Sequence, residues 1–355
     1  MIIKVDIDSD LFSKIEKLVN NGKYQDIYQF VKIALNNQIL EENSLDETKR
    51  KIPSTQSLRN IIEKKTMDIA RLLSDIPLDK TEIPSMPSTL IWSFYNRFFP
   101  IKLTLRHILY SLSPEKKWLE LSDIQEEAFS YAESVSESLK NYEEENNLPR
   151  NKKLSTGLPS PKSELSGLRG TKRNKKESKL HASKIRFQEQ FVGKISKKID
   201  HYTFSGACFE MGLIRVKMDG DSCLISLTEN GSKFAIMENP ILDSEDHAHA
   251  FYKEEVQFIL DKIISRFELE NKIVDIILKE IKNKDLTSKE IEKIFFNEKM
   301  KFYKDTIKSK DEEERLLKEV PQQRVSTMGR LSELRLVNWQ IDNEGRSVYS
   351  YPYDK

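Results

Sequence analysis

The sequence predicts a mainly α protein with short β-hairpins, divided into several domains. Three observations lead there. The chain has 355 residues, beyond the roughly 250–300 at which a single hydrophobic core stops growing. Apolar residues recur at helical spacing along much of it, and only 11 glycines and 12 prolines occur, which disfavours a glycine-rich β-architecture. Runs of strand-forming residues flank tight-turn residues at Asp219-Gly220-Asp221 and at Asp342–Arg346, the pattern of a hairpin.

Residues 1–43 come first. Ile3, Val5 and Ile7 alternate with Lys4 and Asp6 as a short strand of period two. Asp8-Ser9-Asp10 supplies helix-capping types, and Leu11, Ile15, Leu18 and Val19 follow at helical spacing. Asn20-Asn21-Gly22 ends that helix, and a second one from about Gln25 carries Ile27, Phe30, Val31, Ala34, Leu35 and Ile39 on one face. One strand and two helices cannot cover their own apolar surface, so two copies are expected to pair their strands. The run IKVDIDSDLFSKIEKLVNNGKYQDIYQFVKIALNNQI resembles the ribbon-helix-helix family of dimeric DNA-binding domains. That resemblance implies a homodimer through residues 1–43, with the outward strand set entering a major groove. Here the set is Ile2, Lys4 and Asp6, and the module holds five lysines against seven acids. Dimerisation alone and direct base contact through Lys4 both remain open.

Residues 44–89 read as a linker with an amphipathic helix (Leu58, Ile61, Ile62, Ile69, Leu72, Leu73) closed by Pro77, Pro84 and Pro87. Residues 90–243 read as one domain: an aromatic start, a helix near Ile101–Leu112, an acidic helix near Ser122–Glu145, further helices from Ile185 to about Leu213, and a hairpin of Ile214–Met218 and Cys223–Leu227. Its segment 148–184 holds eleven lysines and arginines against Glu164 and Glu177, with so few large apolar residues that disorder is expected. Residues 244–355 repeat the theme. Helices are expected at about Asp246–Leu269, Lys272–Ile281, Ser288–Phe296 and Gln322–Leu334, then strands Trp339–Ile341 and Ser347–Tyr351.

In both parts, helices run into a two-stranded hairpin. The phrases MGLI and LTENGSKFA, and the string RVSTMGRLSELRLVNW…EGRSVYSY, resemble the third helix and wing of archaeal winged-helix proteins, a helix-turn-helix variant. Within helix 322–334, Val325, Met328, Leu331 and Leu334 form the expected buried stripe. Gln323, Ser326, Thr327 and Arg330 fall on the other face, and these are types that engage base edges and phosphates in a groove. A solvated or protein-binding face is the competing reading. Arg346 at the wing tip is a candidate phosphate or minor-groove contact. Lys172, Arg173, Lys175, Lys176, Lys197 and Lys198 are candidates for sequence-independent phosphate contact, against the plain reading of a solubilising loop.

Chemistry finds little support. The phosphate-loop, dinucleotide, zinc-protease and nucleophile-elbow motifs are absent from the sequence. His247 and His249 lack the further ligands of a metal site, and Cys208 and Cys223 are too few for a disulfide framework or a zinc site. No catalytic residue, metal or cofactor is expected. No apolar run approaches the roughly 20 residues of a membrane span, so a cytoplasmic, nucleoid-associated protein is expected. The reading is a sequence-specific transcriptional regulator that binds double-stranded DNA as a homodimer and meets the transcription or replication machinery. The alternatives are a partition, replication-initiation or architectural factor, or a protein–protein scaffold.

Overall fold

The computed structural model describes residues 82–352, apart from 86, 114, 199–200, 245, 306–308 and 343. The expected strand–helix–helix module, its dimer interface and Lys4 lie outside the described residues, as does nearly all of the linker. The described part is mainly helical with three short antiparallel sheets. Among the described residues no helix is long and apolar enough to cross a membrane.

At its centre is α1 (Phe99–Ser111), in which every residue from Phe99 to Leu109 is buried. A helix buried on all sides must also bury its polar residues, and Lys102 and Arg106 do so one turn apart. The Lys102 ammonium donates to the carbonyls of Phe234 (2.5 Å) and Met237 (2.7 Å) and pairs with Glu255 at 2.8 Å. The Arg106 guanidinium grips Asp243 through both terminal nitrogens (2.5 and 2.9 Å) and donates to the Ala235 carbonyl. Such pairs are weak net stabilisers, but losing one partner strands the other charge out of water.

One sheet pattern occurs twice, a two-residue strand between helices that joins a closing hairpin, with a further hairpin and helical turn inserted in the first copy. In the first copy α1 leads to a two-residue strand β1 (Leu119–Glu120) and then α2 (Leu121–Glu145). Next come α3 (Gly170–Phe187), a hairpin of β2 (Lys194–Lys197) and β3 (Tyr202–Ser205), and a single turn α4 (Ala207–Glu210). The copy closes with the hairpin β4 (Ile214–Asp219) and β5 (Ser222–Leu227), whose sheet runs β1-β5-β4. Asp219 pairs with Ser222, which leaves Gly220-Asp221 as a two-residue turn, and Gly220 takes φ +60° as such a turn requires. Helices α5 (Glu229–Ile236), α6 (Pro240–Ser244) and α7 (Lys253–Phe258) link to the second copy. That copy is α8 (Glu268–Ile281), β6 (Leu286–Thr287), α9 (Ser288–Phe302), α10 (Lys310–Glu333), β7 (Asn338–Ile341) and β8 (Ser347–Ser350), with sheet order β6-β8-β7. In both sheets the short first strand pairs with the last.

Several expected elements differ. The 148–184 segment is ordered. Glu143 is buried and accepts from the Ser155 N–H (2.7 Å) and hydroxyl (2.8 Å), Glu164 is bound by Lys140 and Lys176, and Leu158 and Phe187 enter the core. A few anchors outweigh a composition that has little apolar content overall. The stretch expected as helix 185–213 contains the β2–β3 hairpin instead. The long helix expected over 246–269 is broken into α7, a π-turn at Ile259–Ile263 and a 3₁₀ turn at Ile264–Arg266. Finally, α10 starts twelve residues ahead of Gln322, capped by the Ser309 hydroxyl, and carries Pro321 inside it rather than at its start.

Candidate nucleic-acid interface

The strongest concentration of surface charge lies on α3. Its C-terminal end is fastened by Phe187 and, beyond it, Phe191 and Val192, all buried. The rest stands largely in solvent because its sequence offers almost nothing to bury. Arg173 pairs with Glu177, Lys176 with Glu164, and Lys184 with Glu126 while lying over the Phe129 ring at 5.2 Å.

Lys172, Lys175, Lys179 and Arg186 are exposed and make no ion pair among the described residues. At 100° per residue, positions 172, 175, 179 and 186 fall within an arc of about 60°, and the row is about 21 Å long. The helix start adds to it. No acid occupies the first turn, and the N-cap Arg169 makes no side-chain capping bond, so the positive helix end and Lys172 point the same sign at solvent. Some surface lysines find acids close by, as Lys233 does with Glu229, Lys284 with Glu290 and Lys194 with Glu189. What sets α3 apart is that four exposed cations share one narrow face of a single helix.

Beyond α3, Lys197 and Lys198 are exposed near the tip of the β2–β3 hairpin. Lys197 lies 5.7 Å over the ring of Tyr202, its cross-strand partner. On β4, Arg215 and Lys217 share one face and lie over Trp118 at 5.6 and 4.6 Å, with Arg215 also bound by Glu82.

The sequence-predicted reading face of α10 is not available to a groove. Ser326, Thr327 and Arg330 are buried, with Arg330 at 1% exposure. Arg330 donates to the Tyr95 carbonyl (2.7 Å), to Glu270 (2.6 Å) and to the Thr327 hydroxyl (2.9 Å), and Thr327 donates to Glu270 at 2.8 Å. Ser326 donates to the Ser93 carbonyl. The face expected in solvent is therefore the joint between the two copies. Val325, expected in the core, is 49% exposed. Gln323 is half-buried and accepts from Lys299 at 2.9 Å. At the second hairpin tip Arg346 pairs with both Asp342 (2.9 Å) and Glu344 (2.7 Å), so its charge is spent locally.

Of the predicted contacts, the structure brings Lys172 and Lys175 together in one row. Arg173 and Lys176 sit on the same helix but in ion pairs, and Lys197 and Lys198 sit on the hairpin that follows. Lys179 and Arg186 were missed, although the i, i+3, i+7, i+14 spacing was present once a helix was allowed there. No family model, curated protein or solved structure matches this chain.

Proposed function

We propose that this chain binds duplex DNA, with α3 as the main contact to the phosphate backbone and the β2–β3 hairpin beside it. The observation that carries this is the row Lys172, Lys175, Lys179, Arg186 on one face of α3, without counter-charges among the described residues, on a chain whose acids nearly equal its bases (57 against 58). Duplex DNA presents one phosphate charge per about 1.7 Å of axis with both strands counted, so a row about 21 Å long spans a length of duplex that carries about twelve phosphates, only some of them on the facing side. The doubled connectivity supports reading each copy as a winged helix, helix–strand–helix–helix–wing. In the first copy the place of the third helix is taken by the α3-to-α4 stretch. In the second copy the third helix serves as the joint. With residues 1–43 pairing two subunits, the assembly would set two basic rows on one DNA, and transcriptional regulation is the role we propose for it.

Phosphate contact makes a quantitative demand: log K falls with log salt at about 0.9 per neutralised phosphate. Replacing Lys172, Lys175, Lys179 and Arg186 together by Gln should flatten that slope by about 3–4 and weaken binding alike on every sequence. An unchanged slope on random duplex, with the helix content of the variant intact, would refute the reading.

A further inference from the structure

A cleft of about 450 Å³ opens between residues 151–154, the 248–250 turn and the end of α10 with β7. Ligand pockets run from about 300 to 1,000 Å³, so its size is that of a small-molecule site. Five of its lining residues are cationic or basic, Arg97, Lys152, Lys153, His249 and Arg335, and the one lining acid is Glu333. Lys152 is exposed and Lys153 half-buried, and among the described residues neither ammonium makes an ion pair.

Arg335 is held there at a cost. It ends α10 with φ +55°, in the position where a helix normally places glycine, and the Leu336 N–H closes on the Leu331 carbonyl behind it. A non-glycine residue in this conformation is strained and persists where its surroundings fix it. Here they do: Arg335 donates to the Ala248 carbonyl at 3.0 Å and meets His249 Nε2 at 3.2 Å. That uses part of a five-donor guanidinium.

Trp339 and His249 also line the wall, with Trp339 Nε1 and His249 Nδ1 buried away from the cleft and unpartnered among the described residues. The demand on an occupant therefore comes from the cations. A dianionic phosphate supplies the charge that meets them, and Arg and Lys are its usual partners.

We propose that this cleft binds a small phosphate monoester, with Lys152, Lys153 and Arg335 holding the phosphate and Trp339 forming the wall beside it. The site stands on the cleft alone and does not depend on DNA binding. It gives the chain a place for a phosphorylated effector, between the hairpin of the second copy and the segment that leads into α3.

The test is calorimetry on the full chain without DNA, using AMP, inorganic phosphate, adenosine and succinate as probes. AMP should bind once per chain and adenosine should not. Lys152→Gln with Lys153→Gln, at positions whose ammonium groups make no ion pair among the described residues, should lower AMP affinity at least tenfold. The four-position α3 variant should bind AMP as the wild type does. Failure of both AMP and phosphate at millimolar concentration would overturn the site. So would succinate or adenosine binding as tightly as AMP, or AMP affinity unmoved by the double lysine variant. Loss of AMP binding in the α3 variant would overturn its independence from the DNA face.

Discussion

Arg330→Ala asks the molecule which way α10 faces. As a surface residue, Arg330 would be replaced at a cost under about 0.5 kcal/mol. The structure says otherwise. Truncation removes the bonds to the Tyr95 carbonyl and to Glu270, and leaves the Glu270 carboxylate, 1% exposed, with the Thr327 hydroxyl as its remaining donor. Breaking a buried pair on one side costs about 3–5 kcal/mol, a large part of the 5–15 kcal/mol that usually separates folded from unfolded. Urea unfolding followed by far-ultraviolet circular dichroism and by tryptophan fluorescence should show the midpoint falling sharply. The loss should be the same at low and high salt, because a buried pair is poorly screened. Replacing both partners, Arg330→Met with Glu270→Leu, should recover most of it, since no charge is then stranded. A single Arg330→Ala within about 0.5 kcal/mol of wild type would refute the burial of this face and return Arg330 to the surface as a base-reading candidate.

Other outcomes follow from the same structure. Arg346→Ala should leave both stability and DNA affinity close to wild type, because Asp342 and Glu344 already absorb its charge; a uniform loss of affinity in a filter-binding titration would contradict this. Burial pushes the Glu333 carboxyl up to about 7, against the opposing pull of Arg97 and the Phe98 and Phe99 N–H groups that it caps. A carboxyl raised in this way holds its proton longer folded than unfolded, so its share of stability is lost as pH rises from about 5 through 7. Glu333→Gln should remove that part of the pH dependence, read as the difference between the two melting-temperature profiles. Gly231→Ala places a methyl 1.8 Å from the Leu213 carbonyl oxygen, an overlap no rotamer relieves, and should destabilise by about 1–3 kcal/mol or more by the same urea assay.

What the sequence conveyed was local. The acidic helix, α8 and the Gly220 hairpin follow from apolar spacing and turn chemistry, which are properties of neighbouring residues. The two-residue strands β1 and β6 have no such signature, since they exist only by pairing with β5 and β8. Periodicity also failed where a polar face meets a polar partner. Ser326, Thr327 and Arg330 look like a solvated stripe, yet they are covered by the carbonyls of Ser93 and Tyr95 and by Glu270. The α3 row was hidden for a different reason. A lysine-rich composition argued against order, whereas the anchors that impose order, Glu143 on Ser155 and Phe187 in the core, belong to long-range packing.

The joint formed by α10 and residues 93–99 also bears on how such a chain can change over time. A face that reads DNA is free to drift as its targets drift, each substitution tried against a new sequence. A face that closes onto its own chain answers to Tyr95, Glu270 and the N-terminus of α1, and an exchange at Arg330 survives only with a matching exchange at Glu270. Change is therefore steered away from α10 and toward the exposed side chains of α3 and the β2–β3 hairpin, which are little constrained by packing and so can vary cheaply. The two faces are thus under unequal constraint: the α10 joint must hold its shape, while the exposed face of α3 is free to vary.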